Sequence, residues 1–481
     1  LSSLIKRPLA LALLVAQVTT LLPPAAQGAS KLPLDTFLKQ VQDASLAYSG
    51  ATLSSQGARE RSEEAALVTA PQAFANLSLA SDARKNPFFF YDRVLNNVYG
   101  FGVQQQNTVG TQWKLSYQVT FTDFQGLRFP SAVTTFNEGR LALEVNQPLW
   151  KNALGFETRA QQDALEAQAL ASHHVEAFKA RAALAEAEAT YWSLALARRT
   201  VTIAQTTLER ARVLHAWASK RARFELADKS DLFQAEAALE LRKLQLRAAE
   251  DQAHTASRAF NAARQVASDT VTEELELPEL TTLLTLQAPA RSALREDVLA
   301  AREGERAAVA VAEQGRSRAK PQLDVFASAA LNSRDAPLGT AIANSFTLQQ
   351  PTVAAGVKLV VPLDIGSLSA ASQGWAKERA AAEKNYTQKV FTQEKEWADL
   401  EQGLKDARKR LELAAQIEDI QKKKLLNERE RLNRGRTVTY QVLMFEEDFS
   451  QAQLNRLRTQ GELLSILARM KTFQAGQAGN T

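Results

Sequence analysis

The chain of 481 residues is 45% hydrophobic and 23% charged, carries a formal net charge of +5 and contains no cysteine. These proportions are those of an ordinary folded protein, and no basic cluster on one face marks a nucleic-acid surface. The absence of cysteine excludes disulfides, thiolate metal sites, cysteine nucleophiles and a lipid-modified N-terminal cysteine.

Lys6 and Arg7, the apolar stretch Leu9 to Leu22 and the small residues around Ala26 and Gly28 read as a secretory signal over residues 1–28. The apolar stretch is shorter than the roughly 18 residues that suggest a membrane-spanning helix. Leu34 to about Thr69 is predicted helical, and Pro71 then opens a strand with Leu77 and Leu79 on one side and Asn76 and Ser78 on the other. Residues 83–96, with the aromatic cluster Phe88 to Tyr91, read as a loop. Two alternating runs follow: Tyr99, Phe101 and Val103, then Trp113, Leu115, Tyr117, Val119 and Phe121, each with polar or small residues between. Period-2 alternation is a strand signal, and Asn107 to Gly110 supplies a hairpin turn. A further strand covers 139–149, with Leu141, Leu143 and Val145 facing one way and Glu144 the other.

Residues 156–277 contain neither glycine nor proline, so nothing breaks a very long helix. From Gly155 to Phe224 such a helix would reach roughly 100 Å, wider than a single globular domain. Asp228, Ser230 and Asp231 offer N-cap chemistry for a return helix, whose Leu232, Ala235, Leu239, Leu246, Ala249 and Ala253 form a coiled-coil seam. A tip is therefore expected near 224–231. After a mixed connector (269–289), the order recurs. A helix from about Ala293 to Arg318 leads to a strand opened by Pro321, a polar loop (333–350), a strand Val353 to Val361 with Lys358 on its inner face, and a second hairpin from Leu368 to Ala475 turning at 433–437. The chain thus divides into residues 29–268 and 269–481, two copies of one plan, the first with an added hairpin at 97–124.

A secreted chain whose ten-residue strands are apolar on one face suits an outer-membrane β-barrel. Four main strands cannot close one, because the smallest barrels need about eight, and open edges would leave backbone groups unpaired in lipid. Several copies are therefore expected to share one barrel.

The duplicated order, the strand ends Gln147-Pro148-Leu149 and Val361-Pro362-Leu363 and the helical tips resemble the TolC family of outer-membrane efflux ducts over essentially the whole mature chain. The resemblance implies an α+β membrane protein: a homotrimer with a 12-stranded β-barrel, four strands per chain, continued by a twelve-helix periplasmic tunnel. It also implies a passive duct for efflux or type I secretion, joined by a periplasmic adaptor to an inner-membrane pump or ATP-driven exporter. The family's tips carry a glycine about six residues before a polar residue. Gly435 and Gln441 match in the second tip. In the first tip Asp231 is present, but Glu225, between Phe224 and Leu226, replaces the glycine. Gln441 stands where some members place an acidic ring. Tip contacts are expected around Asp231, Arg434, Arg436 and Thr437, strand-to-helix transitions at Pro148 and Pro362, and lumen charges at Glu144 and Lys358. Glu446, Glu447 and Asp448 read as a solvated helix face, with a channel-charging role as the alternative.

No enzyme motif occurs: there is no phosphate loop, nucleophile elbow or paired-histidine zinc helix. His173 and His174 are adjacent and point apart on a helix, while His215 and His254 stand alone, so no metal and no cofactor is expected. A general porin and a secreted helical scaffold are the other readings left open.

Overall fold

The computed structural model describes residues 31–84, 91–127, 133–224 and 229–474; the expected signal segment at 1–28 lies outside them. Six strands form one antiparallel sheet in the order β2-β3-β4-β5-β7-β8: Gln72–Asp82, Arg93–Gln106, Gln112–Gln125, Thr135–Pro148, Gln322–Asp335 and Pro351–Val360. The four main strands expected are β2, β5, β7 and β8, and the added hairpin, whose place the sequence left open, joins the same sheet. The hairpin at 97–124 is β3 and β4, 14 residues each, paired with each other along their whole length, with β2 along 11 residues of β3 and with β5 along 12 residues of β4. Strand β3 also begins inside the stretch read as a loop, and the segment 333–350 contains a short helix, α8 (Leu338–Asn344).

The helices carry the length. α4 (Phe156–Arg223) has 68 residues and α9 (Ile365–Asn433) has 69, each roughly 100 Å at about 1.5 Å per residue. α5 (Lys229–Ala263) and α10 (Thr439–Met470) return alongside them. The remaining height beside each long helix is filled from the sheet end, by α2 (Leu46–Arg61) along α4 and by α7 (Glu296–Arg318) along both α4 and α9. Four helical columns result: α2 with α5, then α4, then α7 with α10, then α9. Short α1 (Leu34–Ala44) and α3 (Glu64–Leu67) complete the entry to β2. Ser45 separates α1 from α2, and its side chain accepts a hydrogen bond from the Tyr48 backbone N–H.

The densest core lies half-way down the helices. Phe37 stacks on Phe260 with ring centroids 4.3 Å apart, against Tyr191, Leu194, Leu411, Leu463 and Met470, all fully buried. A parallel pair of two-residue strands, β1 (Lys31–Leu32) and β6 (Glu274–Leu275), and helix α6 (Leu280–Thr285) belong to this waist. The Tyr191 hydroxyl fixes both: it donates to the Leu32 carbonyl at 2.7 Å and accepts from the Glu276 N–H at 3.1 Å. Among the described residues no helix is long and apolar enough to cross a membrane.

Candidate channel wall and helical tip

The sheet has two unlike faces. One cross-strand row reads Ala73, Val103, Leu115, Leu143, Ala329, Val353, and the next reads Ala75, Phe101, Tyr117, Leu141, Leu331, Pro351. On the opposite face a row reads Gln72, Gln104, Lys114, Glu144, Ser328, Ala354. Among the described residues nothing buries the apolar face over most of its area: Leu77, Val353, Val357 and Leu359 are 66%, 79%, 66% and 60% exposed. α8 covers its rim, where Phe346 stacks on Tyr117 and the Ser345 and Tyr117 hydroxyls lie 3.0 Å apart. A hollow of about 630 Å³ runs along the polar side, lined by Gln72, Gln104, Lys114, Glu144 and Ser328 among others. Both expected lumen charges lie on that polar face, Glu144 opposite Lys114 and Lys358 opposite Asp324. Among the described residues both sheet edges, on β2 and β8, are unpaired.

The two passages from strand to helix differ. After Pro148 the chain makes a left-handed turn, with φ of 56° at Asn152, 50° at Leu154 and 74° at Gly155. The Asn152 side chain accepts from the Thr158 N–H at 3.0 Å to start α4. After Pro362, Asp364 caps α9 directly, accepting from the Ser367 N–H at 2.9 Å.

At the far end of the rods, Gly435 has φ of 70°. The Arg436 N–H bonds to the Arg431 carbonyl at 2.8 Å and the Gly435 N–H to the Leu432 carbonyl at 2.9 Å. This is a Schellman closure, which explains why a glycine stands there. Arg434 pairs with Glu430 on its own helix, Arg436 is exposed, and Thr437 and Gln441 are half-buried. Phe224, at the end of α4, is 73% exposed, and Asp231 sits in the first turn of α5 instead of capping it. Glu225 and Leu226 lie outside the described residues. Within one chain the structure does not bring Asp231 together with the second-tip arginines by any hydrogen bond or ion pair described.

The solvated-face reading of the acidic triplet is corrected at Glu446 alone; Glu447 is exposed and Asp448 half-exposed. Glu446 is 5% exposed and bridges Arg210 of α4, at 2.8 Å, to Arg429 of α9. Glu447 pairs with Arg242 of α5, and Asp448 with Lys424 of α9 at 3.0 Å. One turn of α10 therefore ties three other helices together. Behind the tip, Leu214, Leu425, Leu432, Val442 and Phe449 pack as a separate small core. The sequence held a signal for this: Glu446 falls in the stripe Val442, Glu446, Phe449. Arg242 likewise stands seven residues from both Ala235 and Ala249, the buried seam of α5. A charge at a seam position is a charge that must find a partner.

No family model and no curated protein sequence matches the chain. Solved structures do. Over 92% of this chain and 96% of its own, VceC of Vibrio cholerae, an outer-membrane protein, superposes with a TM-score of 0.67 at 16% identity. The CmeC outer-membrane channel of Campylobacter jejuni gives 0.65 at 15% identity over 92% of this chain and 85% of that one. The open state of the Neisseria gonorrhoeae MtrE outer-membrane channel gives 0.63 at 15% identity, covering 91% and 88%. This is the fold of the TolC-like outer-membrane channels. The α+β plan read from the sequence is thereby borne out; at these identities the likeness speaks for the fold alone.

Proposed function

We propose that this chain is the exit duct of a tripartite efflux system: a homotrimer in the bacterial outer membrane whose helical part hangs in the periplasm. The observation that carries this reading is the pair of unfinished sides on one protomer. At the sheet level β2 and β8 each leave an edge unpaired. At the helix level the two outer columns expose apolar side chains: Phe233, Leu241 and Leu244 on α5, and Leu413, Ile417 and Ile420 on α9. The open side at β2 continues into the α2–α5 column and the open side at β8 into α9. One rotation therefore closes both levels with the same head-to-tail contact, as a ring requires. A closed ring places the apolar face against lipid and the polar face around water.

Such a duct does no chemistry. Substrate passes through it under energy supplied by an inner-membrane transporter, of the resistance type or ATP-driven, and a periplasmic adaptor meets the tips. Glu144 and Lys358 charge the lumen, and Asp231, Arg434, Arg436 and Thr437 hold neighbouring tips together in the closed state. The test is cell fractionation with gel mobility before and after boiling, followed by conductance in planar bilayers. A detergent-resistant oligomer in the outer-membrane fraction that conducts poorly until the tips are mutated is expected. A monomer soluble without detergent would sink the reading, and a channel open from the start would make it a porin.

A further inference from the structure

The hairpin β3–β4 is built into the wall, and several contacts pin it there. Phe74 of β2 lies across Gly102 of β3, so that a Cβ at Gly102 would come within 2.7 Å of the ring. The turn between the two strands reaches the strand-to-helix junction. A Cβ at Gly155 would collide with the Thr108 carbonyl, which also accepts from Arg159 at 3.2 Å. Gln106 donates to the Thr158 hydroxyl at 2.5 Å, and the Thr111 hydroxyl to Gln147 at 2.6 Å. A hairpin standing free above the membrane would make none of these contacts.

The helical layer supplies an independent measure. Four columns at a spacing of about 8–10 Å occupy roughly 32–40 Å of circumference per chain. Strands about 4.8 Å apart and tilted by about 35–45° each take roughly 6 Å, so six fill about 35–41 Å and four only about 23–27 Å. Six strands at this tilt match the ring of helices beneath them, whereas four meet it only with a steeper tilt or a narrower wall. The strand directions also fit, since an even number leaves β2 and β8 antiparallel at the seam between copies.

Resting on the trimeric reading above, we infer that three chains close an eighteen-stranded barrel, about half as wide again as one with four strands per chain. The surface that joins them is the edge of β8 on one copy and the edge of β2 on the next. A wall of that width imposes no narrowing on a tunnel of equal girth, so passage is limited at the helical tips.

Spin–spin distances test this directly. The chain has no cysteine, so Ser328→Cys, on the polar face of β7, places one label per chain. In the detergent-purified full chain, eighteen strands give a wall radius of about 18 Å; labels directed into the lumen sit about 6 Å nearer the axis, for a separation of about 20 Å. Twelve strands give a wall radius of about 12 Å and, with the same inward reach, a separation of about 10 Å. The longer distance is expected, and removal of residues 93–125 should shorten it to the second value with the trimeric mass retained. A separation near 10 Å in a trimer of the intact chain overturns the eighteen-strand wall and leaves the trimer standing. A monomeric mass without dipolar coupling overturns both.

Discussion

Replacing Glu446 by alanine should loosen the tip end of α10 by about 2–3 kcal/mol. The carboxylate is buried and serves two guanidinium groups at once. Removing one partner of a fully buried ion pair costs about 3–5 kcal/mol, because the remaining charge is left without compensation. Here the surviving groups are better placed: the side chains of Arg210 and Arg429 are 18% and 37% exposed and can turn partly toward water, which brings the cost below that range. Arg210 also keeps the Phe449 ring, 5.4 Å away, and the Thr207 hydroxyl at 3.0 Å. Hydrogen exchange reads the local opening free energy, and about 1.4 kcal/mol is a factor of ten. Amides over residues 439–450 should therefore exchange roughly 30 to 150 times faster, with the waist around Tyr191 unchanged. Glu446→Gln should fall between alanine and the native residue, since it can still accept from one arginine. Glu462→Ala serves as the control, because its pair with Arg410 is exposed at 43% and 58% and such pairs contribute about 1 kcal/mol or less. If Glu446→Ala changes exchange no more than Glu462→Ala, the bridge does not hold the tip and the argument fails.

Gly155→Ala should lower the temperature at which the oligomer dissociates on gels, since a left-handed φ costs an alanine about 1–2 kcal/mol even before the collision with Thr108. Gly50→Ala, with open space around it, should not. Asp231→Ala combined with Arg436→Ala should raise single-channel conductance in planar bilayers; unchanged conductance removes both residues from the gate. The hydrogen bond from Arg264, 2.6 Å away, holds the Glu273 carboxyl below its ordinary value of 4.5. Its stabilisation is therefore complete above that pH and is lost as pH falls through the lowered value. Glu273→Gln should flatten the acid dependence of exchange protection across residues 269–276, and an unaltered acid profile would show that the clasp contributes nothing.

The amino-acid sequence by itself determined whatever repeats along the chain. Alternation at 113–121 made a strand, the glycine-free run after Gly155 made a rod, and Gly435 ended one. Each depends on backbone preferences and on the side chains within a few positions. Only the tertiary structure decided which strands became neighbours and which charges met. The hairpin at 97–124 alternates equally well inside a wall or outside one; what places it is Gly102 under Phe74 and Gly155 against Thr108, pairs far apart or only moderately close in sequence. Glu446 looks like part of a wet helix surface until Arg210 and Arg429 arrive from two other helices. Pairing and ion bridging are decided between segments, and hydrophobic period speaks only for the segment that bears it.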